Sequence, residues 1–139
     1  MPFVIPYFIA HQGCPHQCLF CNQQVITGEK FSSADIAADI TRVVRQWLGY
    51  RKNRGATHFA FYGGSFTCLP EERQRIMLDA VAPWLKSGEI DLLRLSTRPD
   101  CIDMNSCELL KEHGVGIVEL GVQSLDDKVL VSARRGHDA

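Results

Sequence analysis

Four times along this chain an apolar run rich in β-branched and aromatic residues gives way to a stretch with helical periodicity, and this alternation restricts the fold more than any other feature. The strand-like runs lie near residues 3–10, 57–62, 92–97 and 115–122, and the helical stretches near 33–48, 70–86, 105–113 and 125–133. Repeated βα units call for right-handed crossovers, which lay the strands parallel and put the helices outside. The expected class is α/β, with the carboxyl ends of the strands forming one rim where ligands gather.

Local signals support these elements. Ser32 and Asp35 resemble a capping box ahead of Ile36, Ile40, Val43, Val44, Trp47 and Leu48, with Gly49 as the stop. Pro70-Glu71-Glu72 opens a second helix whose apolar face is read as Ile76, Met77, Ala80, Val81, Trp84 and Leu85, bent by Pro83 and ended by Gly88. Asn105 and Glu108 suggest a capping box for the third, which closes at His113-Gly114. His113, at a helix C-terminus, is assigned no chemistry. Pro2 and Pro6 weaken the first half of the first strand.

Each strand end carries something unusual. After the first come Cys14, Cys18 and Cys21, three thiols within eight residues. After the second comes Gly63-Gly64-Ser65, where paired glycines let backbone approach a ligand closely; a plain turn is the competing reading. The third ends in Ser96-Thr97-Arg98-Pro99-Asp100 and the fourth in Gln123-Ser124. Glu119 within the fourth strand would be costly to bury unpaired, so it is either a structural partner, meeting Arg98 or another interior cation, or a pocket group.

Structural zinc sites usually pair two short knuckles to complete four ligands, and no second Cys-x-x-Cys stands here. Three ligands leave a metal centre open to a substrate or cofactor. A zinc knuckle completed by His11 or His16, or three buried free thiols, are the bland alternatives. Cys68, Cys101 and Cys107 stand apart from this loop and from each other, and read as small buried hydrophobes.

The Cys-x3-Cys-x2-Cys spacing, with Phe20 before the third thiol, resembles the cluster loop of the radical S-adenosylmethionine (SAM) enzymes. That resemblance implies a partial (β/α) barrel in which Cys14, Cys18 and Cys21 ligate a [4Fe-4S] cluster whose open iron chelates SAM. It also implies reductive cleavage of SAM to a 5'-deoxyadenosyl radical, with an external electron donor of the flavodoxin or ferredoxin type. By the same resemblance Phe20, Gly63, Gly64, Ser65, Ser96, Gln123 and Arg135 line the cofactor. Gly63-Gly64-Ser65 would bind the SAM amino group, Gln123 the ribose and Arg135 the methionine carboxylate. Ser65 and Ser96 stand where relatives often carry Glu.

Ser-Thr-Arg-Pro-Asp together with Gly-Val-Gln-Ser resembles the radical-SAM domain of the Elongator catalytic subunit, with anaerobic coproporphyrinogen oxidase a more distant relative. The implied substrate class is open, RNA being one candidate. Relatives usually carry six βα units, so the expectation is that residues 1–139 form the amino-terminal portion of such a core, with an exposed sheet edge prone to self-association and weak turnover in isolation. A non-catalytic zinc or electron-transfer module is the alternative function.

Composition narrows the setting. A net charge of −1 gives no global pull toward nucleic acid or anionic membrane, and the basic cluster Arg42, Arg45, Arg51, Lys52 and Arg54 reads first as a solvated helix end. No apolar run has membrane-spanning length, and Met1-Pro2-Phe3 lacks the basic start of a secretory signal, so the expectation is a soluble cytoplasmic protein.

Overall fold

The computed structural model describes residues 1–9, 14–21, 36–52 and 55–139. Strand β1 (Phe3–Phe8) is followed by helix α1 (Ile36–Tyr50), β2 (Thr57–Tyr62) by α2 (Glu71–Ser87), β3 (Leu92–Thr97) by α3 (Met104–Glu112), and β4 (Val115–Leu120) by α4 (Asp127–Ser132). The strands are parallel and stand in the order β1-β2-β3-β4. An order that never reverses winds in one direction, as a barrel segment does, and has no switch point of the doubly wound kind.

The sheet has two unlike faces. On one, Ile5, Tyr7, Phe59, Phe61, Leu93 and Leu95 are buried with Ile36, Ile40 and Val44 of α1 and Met77, Leu78 and Val81 of α2. Aromatic rings knit this layer: Phe61 lies 5.1 Å from Phe59 and 4.8 Å from Phe66, centroid to centroid. Burying each such side chain contributes about 1.5–3 kcal/mol. On the other face Tyr62, Arg94, Ser96 and Glu119 lie together. Parallel strands are normally apolar on both sides, so the polar face is set apart from the one that carries the buried helix layer.

Pro6 sits inside β1 because β1 is an edge strand, where a missing N–H costs little. Between β3 and β4 the register slips: Leu93 pairs with Val115 but Arg94 with Ile117, leaving Gly116 as the extra residue. A Cβ on Gly116 would stand 2.8 Å from Leu92 Cδ1, so any larger residue in the bulge would have to turn the Leu92 side chain aside. Past it, Ile117 and Glu119 face the same way as Arg94 and Ser96.

Several expectations are corrected. The capping box read at Ser32 and Asp35 lies outside the described residues, and α1 runs through Gly49 to Tyr50. In α2, Ile76 is exposed while Gln74 and Leu78 turn inward; Gln74 is drawn in because its amide donates to the carbonyls of Leu69 and Thr67. Helix α3 is capped by Asp103, whose Oδ1 accepts the Ser106 N–H at 2.7 Å, rather than by Asn105 with Glu108. β1 stops at Phe8, and β4 stops at Leu120: Gly121 still donates its N–H to the Thr97 carbonyl, but the Val122 N–H turns back to the Leu120 carbonyl. Helix α2 does close on left-handed Gly88, as the sequence suggests.

Cys68 and Cys101 are not isolated hydrophobes: they form a disulfide, with Cα atoms 5.1 Å apart. They are 33 residues apart in the chain, yet β2 and β3 are neighbours in register, so the 3-10 turns that follow them, Phe66–Cys68 and Pro99–Cys101, meet at the rim. Cys107 is exposed on α3.

Candidate functional site

The cysteine loop is held to the rim by two arginines. Arg135 Nη1 donates to Cys18 Sγ at 3.3 Å, and Arg98 Nη1 approaches the same sulfur at 3.9 Å. Both side chains are buried. Arg98 is pinned by its own strand end: Nε and Nη2 form a fork onto Asp100 at 2.8 Å each, and Nη2 also donates to the Arg135 carbonyl. Arg135 Nη2 donates to the Gly121 carbonyl, which ties the end of β4 to the loop. The Leu19 N–H bonds the Ala133 carbonyl at 3.2 Å, and the His16 ring lies 3.9 Å from Asp100.

The three thiols are neighbours, though not a closed triad. Burial pushes the Cys14 thiol up, the Arg98 guanidinium pulls it down, and the proximity of Cys21 and Cys18 raises it again. Among the described residues no three His, Cys, Asp or Glu side chains converge into a metal-holding group. The donor set nevertheless fits a thiolate-held cluster: three sulfurs on one loop, with two buried guanidiniums on the middle one to offset thiolate charge.

Behind the loop, hydroxyls stitch the β2 and β3 ends. Ser65 Oγ lies 3.1 Å from Thr97 Oγ1 and accepts the Arg98 N–H at 3.0 Å. Thr97 Oγ1 also receives the Thr67 N–H and contacts Thr67 Oγ1. Ser65 is fully buried, so its hydroxyl is committed inward and it is the backbone of Gly63 and Gly64 that faces outward. Gly63 has φ +80°, and a Cβ there would stand 2.9 Å from Phe8 Cδ1. Replacing Thr97 by valine leaves three buried polar groups short of a partner, and should lower stability by about 2 kcal/mol. Thermal unfolding followed by circular dichroism should show this as a fall of roughly 6 °C.

The other expected residues are more scattered. Phe20 is 59% exposed on the loop surface. Ser96 faces the polar side of the sheet in register with Glu119. Gln123 is exposed just past β4 with φ +75°, an uncommon conformation for a non-glycine residue. Arg135 contacts Cys18 and Gly121 directly, while its buried Nε has no partner among the described residues. Glu119 pairs with Arg94, not with Arg98: Arg94 Nε donates to Glu119 Oε1 at 2.7 Å, and the Tyr62 hydroxyl donates to the same oxygen at 3.0 Å. The bulge at Gly116 turns Glu119 to the face that the pleat of β3 gives Arg94, whereas Arg98 lies beyond the strand.

Arg98, Asp100 and Thr97 belong to the site although the sequence pattern does not single them out, and all three lie in the Ser-Thr-Arg-Pro-Asp run. Gly136 also carries weight. A Cβ on it would stand 2.4 Å from the His16 ring, and its φ is +77°. Gly136→Ala should therefore strain the backbone there and turn the His16 ring away from Asp100, and if that ring helps seat the cysteine loop, chymotryptic cleavage after Leu19 or Phe20 should speed up.

This geometry defines an α/β domain with a thiol loop and a glycine turn on one rim, and comparison with known proteins agrees. The sequence matches the radical SAM superfamily over residues 8–139, and the chain belongs to that family. It is 33% identical to an uncharacterised protein of Methanocaldococcus jannaschii, over 98% of this chain and 44% of that one. A putative methylthiotransferase of the same archaeon is 27% identical over 94% of this chain and 29% of its own length. The heme chaperone HemW of Bacillus subtilis is 32% identical over 54% of this chain and 20% of its own. The chain thus spans less than half the length of these relatives. No helix among the described residues is long and apolar enough to cross a membrane.

Proposed function

We propose that Cys14, Cys18 and Cys21 hold a [4Fe-4S] cluster and that the adjoining rim binds SAM, so that the chain initiates radical chemistry. When bound, the cluster supplies the electron that cleaves SAM to methionine and a 5'-deoxyadenosyl radical. The observation that carries this reading is the Arg98 bridge: one buried side chain touches the Cys18 sulfur while its own N–H bonds Ser65, so thiol loop and glycine turn share one rim. Gly63 and Gly64 would present backbone to the SAM amino group, Gln123 would reach the ribose, and Ser96 lies on the polar face below. Arg135, bonded to Cys18 and Gly121, would stabilise the thiolate and offer its unpaired Nε to a carboxylate.

The finer reading is an Elongator-like role in RNA modification, with a coproporphyrinogen-oxidase-like role second. It rests on Ser96-Thr97-Arg98-Pro99-Asp100 and Gly121-Val122-Gln123-Ser124 alone. The electron donor would be of the flavodoxin or ferredoxin type, and the setting the cytoplasm.

Anaerobic reconstitution with iron and sulfide, followed by metal analysis and electron paramagnetic resonance, tests the proposal. Iron and sulfide in equal amounts, with a reduced-cluster signal that shifts when SAM is added, is the expected result. Zinc alone, or a cluster signal indifferent to SAM, would overturn it.

A further inference from the structure

We infer that Cys68 and Cys101 form a reversible thiol–disulfide site that takes small dithiols and disulfides from solution and sets the stiffness of the rim. Four other cysteines are free, and three of them sit on the loop that must stay reduced to bind metal. A compartment that keeps those thiols reduced is one where a disulfide turns over. Both Cys68 and Cys101 are only half-buried, so a small reagent can reach them.

The bond joins the turn after β2 to the turn after β3. Cys68 Sγ lies 3.0 Å from Ser65 Oγ, the atom that accepts the Arg98 N–H, and Arg98 reaches Cys18. Opening the bond removes the one covalent tie between these turns and leaves the Ser65–Thr97–Thr67 hydroxyls to hold them. The rim then loosens at the residues that contact the cysteine loop.

Closure is two successive exchanges with a low-molecular-weight disulfide. One protein thiolate attacks it and releases one thiol, and the second thiolate attacks the mixed disulfide and releases the other. The protein sulfurs give up two electrons and their two protons leave with the released thiols; a dithiol reverses both steps.

The test equilibrates the anaerobically purified chain in buffers of graded reduced and oxidised dithiothreitol, alkylates it with a maleimide, and maps the labelled and cross-linked peptides. Cys68 and Cys101 should lose label together along a single two-electron curve, cross-linked to each other, with Cys107 labelled throughout. Amide hydrogen exchange at the two ends of that curve should show Thr67 and Arg98 exchanging about tenfold faster in the reduced chain, with Leu93 and Leu95 unchanged. Full labelling of Cys68 and Cys101 at every poise would overturn the site, as would cross-links to other cysteines. Equal exchange at Thr67 and Arg98 in both states would overturn the coupling. The inference rests on the proposed function for its reducing compartment, but neither readout passes through iron or SAM, so failure here leaves the proposed function standing.

Discussion

Arg98→Met should lower the unfolding free energy by about 3 kcal/mol, the cost of removing one partner from a buried ion pair. The side chain is 5% exposed and satisfies four acceptors at once: the Asp100 carboxylate through both oxygens, the Arg135 carbonyl and the Cys18 sulfur. A thioether of similar length fills the space and replaces none of these bonds. Thermal unfolding should fall by roughly 10 °C. Arg98→Lys restores the charge without the fork and should recover only part of the loss. A pH series separates this ion pair from simple packing. Burial tends to raise the Asp100 carboxyl, but hydrogen bonding and charge from Arg98 outweigh it and hold the group below the ordinary carboxylate range. Its stabilising contribution is therefore complete above the unfolded value and fades as pH falls through the lower folded one. The gap between parent and Arg98→Met should close on acidification below about pH 4. A gap constant down to the acid limit would mean that the pair contributes nothing.

If Cys18 is the middle ligand, as proposed, Cys18→Ala should reduce iron bound per chain by roughly tenfold or more after anaerobic reconstitution, because two remaining thiols do not close the site. The same change strips both guanidiniums of a shared acceptor, so Arg98 and Arg135 repel across the gap where the sulfur stood. The matched control is Cys107→Ala, which removes an exposed thiol from α3 and should leave iron content untouched. Iron and sulfide analysis of both variants beside the parent decides the matter. A Cys18→Ala chain with a full four-iron complement would remove Cys18 from the ligand set.

Much of the fold is legible in the sequence because each strand is a compact apolar run between polar punctuation. Thr57–Tyr62 and Leu92–Thr97 fall where the runs place them, and four parallel βα units follow from the alternation. Helix ends are less legible. Asp103 outcompetes Asn105 as a cap because its carboxylate accepts both the N–H and the hydroxyl of Ser106, a preference that spacing alone does not rank. The cysteine triplet and the glycine pair stand out as local patterns. The contacts that join them do not, since the link from Cys18 through Arg98 to Ser65 crosses 80 and then 33 residues of chain. The disulfide is hidden for the same reason: which thiols meet is decided by strand register, and register is a long-range property.

The single extra residue at Gly116 carries a consequence for the whole fourth strand. Were Gly116 paired with Arg94 as an ordinary strand residue, every later side chain there would turn through half a rotation, sending the Glu119 carboxylate among the oily rings beneath α1 and α2 and offering Val118 and Leu120 to the hydrophilic side in its stead. One inserted glycine thereby decides which of two incompatible coats the sheet wears.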